Sequence, residues 1–404
     1  MSTPDSPCLP KDSPSAQQGN ILLYLPWEFD MLGGVDVVVD RLWKGLETTI
    51  PGRAIIGIQD WHFHGEKTDA EGRRFLHLNL PAPPTAGGLA SWRYRLTLGR
   101  RIPRLLRTLR QQQITTINVH FPTQNSYVLA LLKQFGLWHG RLVLSFHGSD
   151  VNDINPDTPQ WRLIARHTDA ITACSAALAK RVDNLALFRM PTSVIYNGID
   201  SQHFADQAGP IHEEIRTPYL LNVGNYVPRK GQDVLLKAFS QIAANYPDLN
   251  VVCVGGTDNG SWLHHLKELA SQLKITDRVT LLENQSQSRV AGLMKKAVCL
   301  VHTSHNESFG LVLIEAAACM TPIIATRVGG IPEIIPSDDF GLLASPGNGD
   351  EIARNICIVL ESPSLAKSNA KNLSMMVQNK FSTTAMTIGY INAIITPSSC
   401  HNSL

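Results

Sequence analysis

The chain has no Cys-x-x-Cys pair, and its seven cysteines lie scattered at 8, 174, 253, 299, 319, 357 and 400. A disulfide framework or a cysteine zinc site is therefore not expected; the thiols read as buried side chains in a reducing compartment, and the protein as cytoplasmic. A Gly-x-Gly-x-x-Gly fingerprint and a Walker A lysine are both missing, so dinucleotide and ATP readings lack their usual support. No apolar run reaches transmembrane length, the opening residues do not read as a signal peptide, and no internal repeat is visible. A net charge of +2 gives no global reason to expect nucleic acid as a partner. What remains, 404 residues of which 43% are hydrophobic and 17% charged, suits a globular protein of two or three domains.

The most informative stretch is 302–335. It begins where the apolar strand Ala297–Val301 ends. A polar loop leads to Glu307, with Ser308 as a candidate N-cap for a helix from Phe309 to Ala318. Thr321-Pro322 stops that helix, Ile323–Thr326 reads as a buried strand, and Gly329-Gly330 permit a tight loop before Pro332 opens a short helix. In such a frame ligands bind beyond the carboxyl ends of the strands, where both loops fall. Glu307 and Glu315 can face one crevice, and an ionised carboxylate only accepts, which suits the paired hydroxyls of a ribose or a hexose. The free N–H groups of Ser308, Phe309, Gly310 and Leu311 would form an anion site beside them. Hydroxyls beside phosphates describe a nucleotide sugar. Taken singly, a capping glutamate and a solvated helix glutamate are the favoured reading, since single glutamates are mostly exposed; the surrounding frame is what changes it.

Other loops point the same way. Gly33-Gly34 stand between the strand Ile21–Leu25 and the helix Val35–Leu46, where glycines permit close approach to phosphate. His120 ends the strand Ile114–Val119, and His147-Gly148-Ser149-Asp150 follows the strand Leu142–Phe146. Each histidine is a site candidate or a structural histidine bonded to a loop carbonyl. Gly224, Asn225, Arg229 and Lys230 lie between the strand Tyr219–Val223 and the helix Asp233–Ala244, a setting that suits a departing diphosphate or simply two solvated cations.

The stretch 302–335 resembles the Glu-x7-Glu signature of the retaining group-1 (family 4) glycosyltransferases. Glu307, Phe309, Gly310, Leu311, Glu315, Ala316, Pro322, Ala325, Thr326, Gly329, Gly330 and Glu333 match; Ser308 and Met320 stand where glycines are usual. A weaker resemblance extends over about 20–396. It implies an α/β chain of GT-B fold: two facing Rossmann-like domains with parallel sheets and a central cleft. The expected organisation is a disordered tail 1–18, an acceptor domain 19–204, a linker 205–217, a nucleotide-sugar domain 218–380, a helix 381–396 returning to the first domain, and a tail 397–404.

The same resemblance implies roles. Glu315 would hold ribose and Glu307 the sugar hydroxyls; Lys230, with Arg229 making up for Asn225 where an arginine is usual, would stabilise the leaving diphosphate. His120 would contact the donor sugar, with His147 and Asp150 as further candidates. Leu282, Glu283 and Asn284 lie where the family's backbone meets the base. No Asp-x-Asp pair is present, and neither a metal nor a cofactor is expected. The implied reaction moves a sugar from a nucleotide sugar, such as a UDP- or GDP-sugar, to a glycan or lipid-linked acceptor in polysaccharide, lipopolysaccharide or glycolipid synthesis. A nucleotide-sugar 2-epimerase and a non-catalytic nucleotide-sugar-binding protein remain as alternatives. Finally, Arg93, Arg95, Arg100, Arg101, Arg104, Arg107 and Arg110 fall in one stretch without an acid. With Ile102, Leu105, Leu106 and Leu109 packed inward, Arg100, Arg101, Arg104 and Arg107 would crowd the outer face, either as a solvated surface or as a contact for anionic lipid.

Overall fold

The computed structural model describes residues 19–29, 33–84, 88–211, 215–256 and 260–395. The tails expected over 1–18 and 397–404 lie outside them. Among the described residues the first sheet has eight strands: β1 (Asn20–Leu25), β2 (Ala54–Gln59), β3 (Gly65–Thr68), β4 (Arg74–Leu78), β5 (Ile114–His120), β6 (Arg141–Phe146), β7 (Ala170–Ala173) and β8 (Ser193–Val194). Their order is β3-β4-β2-β1-β5-β6-β7-β8, parallel except for β3 against β4. The second sheet holds β9 (Tyr219–Val223), β10 (Asn250–Gly255), β11 (Val279–Glu283), β12 (Cys299–His302), β13 (Ile323–Thr326) and β14 (Leu342–Ala344). Its order is β11-β10-β9-β12-β13-β14, parallel throughout.

Central strands such as β1 and β2 are apolar runs buried along their length, as sheets covered on both faces require. The strand order reverses between β1 and β5 in the first sheet and between β9 and β12 in the second. These switch points are where crevices open at the carboxyl ends of parallel strands. Among the residues singled out from the sequence, the loops after β1, β9 and β12 carry Gly33, Lys230 and Glu307, and His120 is the last residue of β5.

The two halves share apolar contacts. Phe309, from the loop after β12, is buried against Tyr196 and Phe381, with ring centroids 6.2 and 5.6 Å away. The helix Thr383–Ile395 returns to the first sheet, where Met386, Tyr390 and Ile394 join Val38, Val39, Leu42 and Val143 in one cluster. The polar stretch beginning at 205 is not free of structure: helix Ser201–Asp206, capped by the Asp200 side chain, includes its first two residues, and Gly209 N–H donates to Ser288 O at 2.8 Å.

The arginine-rich stretch is a helix, Leu89–Gln111, with Leu105 and Leu109 buried as the periodicity predicts. One expectation there is corrected. Arg101 does not join the outer face; it is half-buried, hydrogen-bonded to Asn79 and set over the Trp61 ring. Arg100, Arg104 and Arg107 are exposed. So are Leu89, Trp92 and Leu96, on the helix's N-terminal half, at 64%, 58% and 48%.

Candidate active site

Lys230 and Glu307 come from the loops after β9 and β12, the two strands that flank the second sheet's switch point. Lys230 lies in a short 3-10 turn, Pro228–Lys230, which Gly231 ends with φ 65°. A side chain at Gly231 would collide with the Thr303 carbonyl, so glycine is what lets this turn sit against the β12 loop. Ser304 Oγ and His305 N–H also donate to Arg229 O, at 3.1 and 2.8 Å. The two loops are thus bonded together before their side chains meet.

Lys230 Nζ is 2.7 Å from Glu307 Oε2, and His302 Nε2, at the end of β12, is 3.3 Å from the same oxygen. Burial pushes the Glu307 carboxyl up, but Lys230 and then the His302 contact more than offset this and hold it well below the usual carboxylate range. Glu307 is therefore ionised at neutral pH, an acceptor on both oxygens. Arg229, expected to share the work of Lys230, is exposed and its guanidinium pairs with nothing among the described residues. Gly224 lies along the Lys230 stem; Asn225 is exposed, and its side-chain oxygen and that of Asn284 converge beside Gly256.

The helix after Glu307 starts later than the sequence suggests. It spans Leu311–Ala318, and its N-cap is Gly310, with φ 106°, not Ser308. The reason is Phe309, which turns inward to its aromatic neighbours, so a left-handed step is needed before the helix can begin. The anion site expected at the N–H groups of Ser308 through Leu311 is shifted accordingly towards Leu311. Ser308 meets the first domain: its carbonyl accepts from Ser175 Oγ at 2.7 Å, and its side chain fills the space a Cβ at Gly148 would need.

Glu315, on the second turn of that helix, faces the first domain. Its Oε1 is 2.7 Å from Arg41 Nη2, and both side chains are mostly buried. Arg41 belongs to helix Gly34–Thr49, which the Gly33-Gly34 loop opens; Gly34 itself lies against the Leu311 side chain. No sequence signal marked Arg41. A second cross-domain contact is made by Glu333, whose carboxylate accepts the N–H groups of Ala176 and Ala177, both at 2.9 Å, at the start of helix Ala176–Asp183.

The histidines are arranged differently from expectation. His120 is fully buried, its Nδ1 3.0 Å from His147 Nε2 and its Nε2 3.0 Å from Asn118 Nδ2. Asn118 Oδ1 accepts from Ser145 Oγ, which accepts from Thr172 Oγ1, so His120 heads a buried polar chain rather than a surface. It has no surface to offer a donor sugar; His147, half-buried and beside the Gly148–Ser308 contact, is the one nearer the cleft. Burial pushes the His147 imidazole down to about 4. Asp150 is buried and braces this turn, accepting from the N–H groups of His147, Gly148 and Val151 at 2.8, 2.7 and 3.1 Å; burial raises its carboxyl to about 6 against those bonds.

A cavity of about 400 Å³ opens beside Glu307, lined from the first domain by Ala177, Leu178 and Arg181 and from the second by His305, Asn306 and Ser308. Among the described residues, no three His, Cys, Asp or Glu side chains converge as a metal site would need, and no helix is long and apolar enough to cross a membrane.

Comparisons with known proteins bear on the family and the fold. The description "Glycosyltransferase Family 4" matches residues 32–203, and "Glycosyl transferases group 1" matches 209–374. An uncharacterised glycosyltransferase of Methanocaldococcus jannaschii is 26% identical over 358 residues, 87% of this chain and 90% of that protein. The N-acetyl-alpha-D-glucosaminyl L-malate synthase of Bacillus anthracis is 28% identical over 279 residues, 67% of this chain and 72% of that one. Among solved structures, Anabaena HepE in complex with UDP and glucose superposes with a TM-score of 0.72 at 19% identity, over 93% of this chain and 99% of that chain. With one family description on each sheet, the chain belongs to the group-1 glycosyltransferases and is a glycosyltransferase of GT-B fold.

Proposed function

We propose that this enzyme moves a sugar from a nucleotide-sugar donor, of the UDP type, to an acceptor hydroxyl with retention at the anomeric carbon. The observation that carries the reading is the convergence of Lys230 and Glu307 from the two strands beside the switch point, with Glu315 one helix turn away. Glu307 keeps Oε1 and Glu315 keeps Oε2 for hydroxyls of the donor, sugar and ribose respectively. Lys230 stands where a departing diphosphate gains charge, and a fixed cation there stabilises the transition state more than the ground state. Support for the UDP type comes from HepE, which was solved with UDP and glucose, and support for a gluco-configured sugar from the glucosaminyl transfer named for the Bacillus relative. Protein cations and the Leu311 helix terminus do the neutralising, so turnover should persist in excess chelator.

The test is a thermal-shift screen of nucleotide sugars, followed by NMR of the product's anomeric proton. A ligand at about 100 times its dissociation constant stabilises by roughly 2.7 kcal/mol, a shift easily read. An axial product from an axial donor is expected; an inverted product overturns retention. Release of nucleotide only when acceptor is present separates transfer from 2-epimerisation, and tight binding without any turnover would favour a silent binding protein.

A second observation bears on where the acceptor is found. Leu89, Trp92 and Leu96 are exposed at i, i+3 and i+7, and Arg93 and Arg100 border the same stripe. Apolar and aromatic side chains flanked by arginines suit the interface of an anionic membrane. The reading is a cytoplasmic enzyme held reversibly at the membrane, acting on a lipid-linked acceptor for a cell-envelope glycan. Co-sedimentation with anionic vesicles at low salt, lost on Trp92→Ala with Leu96→Ser, is the expected result; equal pelleting of the double variant removes the stripe from the explanation.

A further inference from the structure

His302 is a residue of the signature stretch to which no role has been given. It ends β12, is 2% exposed, and pairs in register with Ala325 of β13. A buried imidazole N–H needs an acceptor, since leaving one unpaired inside a protein is costly. His302 Nε2 lies 3.3 Å from Glu307 Oε2 but is not aligned to form a hydrogen bond with it, and it has no hydrogen-bond partner among the described residues. Lys230 Nζ takes that same oxygen at 2.7 Å. Lys230, from the loop after β9, thus holds the oxygen that His302, at the end of β12, faces without a formed bond, and the other oxygen, Oε1, has no partner among the described residues.

We propose that His302 is a positioning residue for Glu307: with Lys230 it pins Oε2, so that Oε1 is presented to the cleft at a fixed angle. The inference rests on Glu307 being the carboxylate that binds the donor sugar, as argued under Proposed function. Burial pushes the His302 imidazole below its ordinary value, the pull of Glu307 opposing this only in part, so the neutral ring is favoured; the proposed role places its proton on the Nε2 that faces the carboxylate. A neutral donor can do what a second cation could not. It fixes the oxygen without adding charge that would hold Lys230 away from it, and Lys230 must answer both to Glu307 and to a diphosphate. The contact is close enough but poorly aligned for a hydrogen bond; catalytic hydrogen bonds are often misaligned before substrate is bound and tighten in the complex.

The experiment compares His302→Leu, His302→Gln and His302→Asn, each alone and in a Glu307→Ala background. The glutamine amide nitrogen reaches roughly where Nε2 lies, whereas the asparagine amide falls short. The expected result is a fall in kcat of about tenfold to a hundredfold for Leu and Asn, the scale of one hydrogen bond to a charged group, with Gln within about threefold of the wild type. Free UDP, tested by calorimetry, should bind all three alike, because the ribose end is held at Glu315. In the Glu307→Ala background His302→Leu should add less than about twofold, because a group acting through Glu307 has nothing left to position. Should the leucine variant fail to fold, Asn against Gln carries the same contrast. Equal kcat for Asn and Gln, or an undiminished effect in the Glu307→Ala background, overturns the proposal. If Glu307→Ala itself turns over normally, it is the assignment of Glu307 that falls; if Glu307→Ala is impaired and His302→Asn is not, only the role of His302 does.

Discussion

The two walls of the cleft are built in different ways. On the second domain, Lys230, His302, Glu307 and Glu315 belong to two short loops, a strand end and one helix, and most stand in a single stretch of sequence. On the first domain the groups that face the second come from separate elements: Arg41 from a helix face, His147 from just after β6, and the backbone N–H groups of Ala176 and Ala177 from a helix terminus. One wall is a motif, and the other is an assembly. A motif can be disabled one residue at a time with sharp effects, whereas an assembly spreads its contribution over alignment and closure.

The largest test of that contrast is within the motif wall. Lys230→Ala should lower kcat by about 100- to 1000-fold, the usual result of removing one donor aimed at a developing oxyanion. Arg229→Ala should cost well under tenfold, because an exposed, unpaired guanidinium contributes little. Comparable losses in steady-state kinetics would show that Arg229 swings inward in the complex and does make up for Asn225. Next comes the pair that joins the walls. Glu315→Ala should weaken UDP binding by about tenfold to a hundredfold, the range of a hydrogen bond to a charged group. Arg41→Ala should weaken it less, since it aligns a carboxylate that still accepts. An Arg41 variant as weak as the Glu315 variant in calorimetry would mean that the first domain contacts the nucleotide directly.

The smallest effect is confined to the assembled wall. The His147 imidazole is held down to about 4 in the fold, while an unfolded histidine takes up its proton near 6.5. The unfolded chain therefore binds more protons between those values, and stability is lost as pH falls from about 6.5 towards 4. Asp150 works in the opposite sense: raised to about 6, it favours the fold as it gains a proton. The two are separated by comparison with His147→Gln, which keeps Asp150. The wild type should lose melting temperature relative to this variant on going from pH 7 to pH 5. Parallel melting curves for the two proteins would show that His147 is free to protonate in the fold.

How much could be read from the chain itself follows the same division. Glu307 and Lys230 were legible because a strand end, a polar loop and a helix start are written in consecutive residues, and parallel sheets gather such loops at one edge. Arg41 was not, because its partner Glu315 is 274 positions away and a helix-face arginine has no local pattern to distinguish it from a solvated one. His120 and His147 carried the same local signal, a histidine at a strand end, and only packing decided which lies in front. Arg101 differs from Arg100 by one step around a helix, a difference that depends on where Asn79 lies. Ser308 was misread as a cap because the inward turn of Phe309 depends on Tyr196 and Phe381, which lie outside the stretch.

The return of helix Thr383–Ile395 sets rules for building chimeras. Met386, Tyr390 and Ile394 are nearly inaccessible and lie against the first sheet's own residues, and Arg141 Nε donates to Ala393 O at 3.0 Å. Gly45, on the helix beneath, has no room for a side chain because Thr387 occupies it. An exchange of donor specificity made by splicing at the chain's midpoint, with everything after 217 taken from another enzyme, would hand the first domain a foreign piece of its own interior. Two junctions are needed, one before Tyr219 and one between Lys380 and Thr383, so that the exchanged cassette is an insert and the last helix stays with the half it completes.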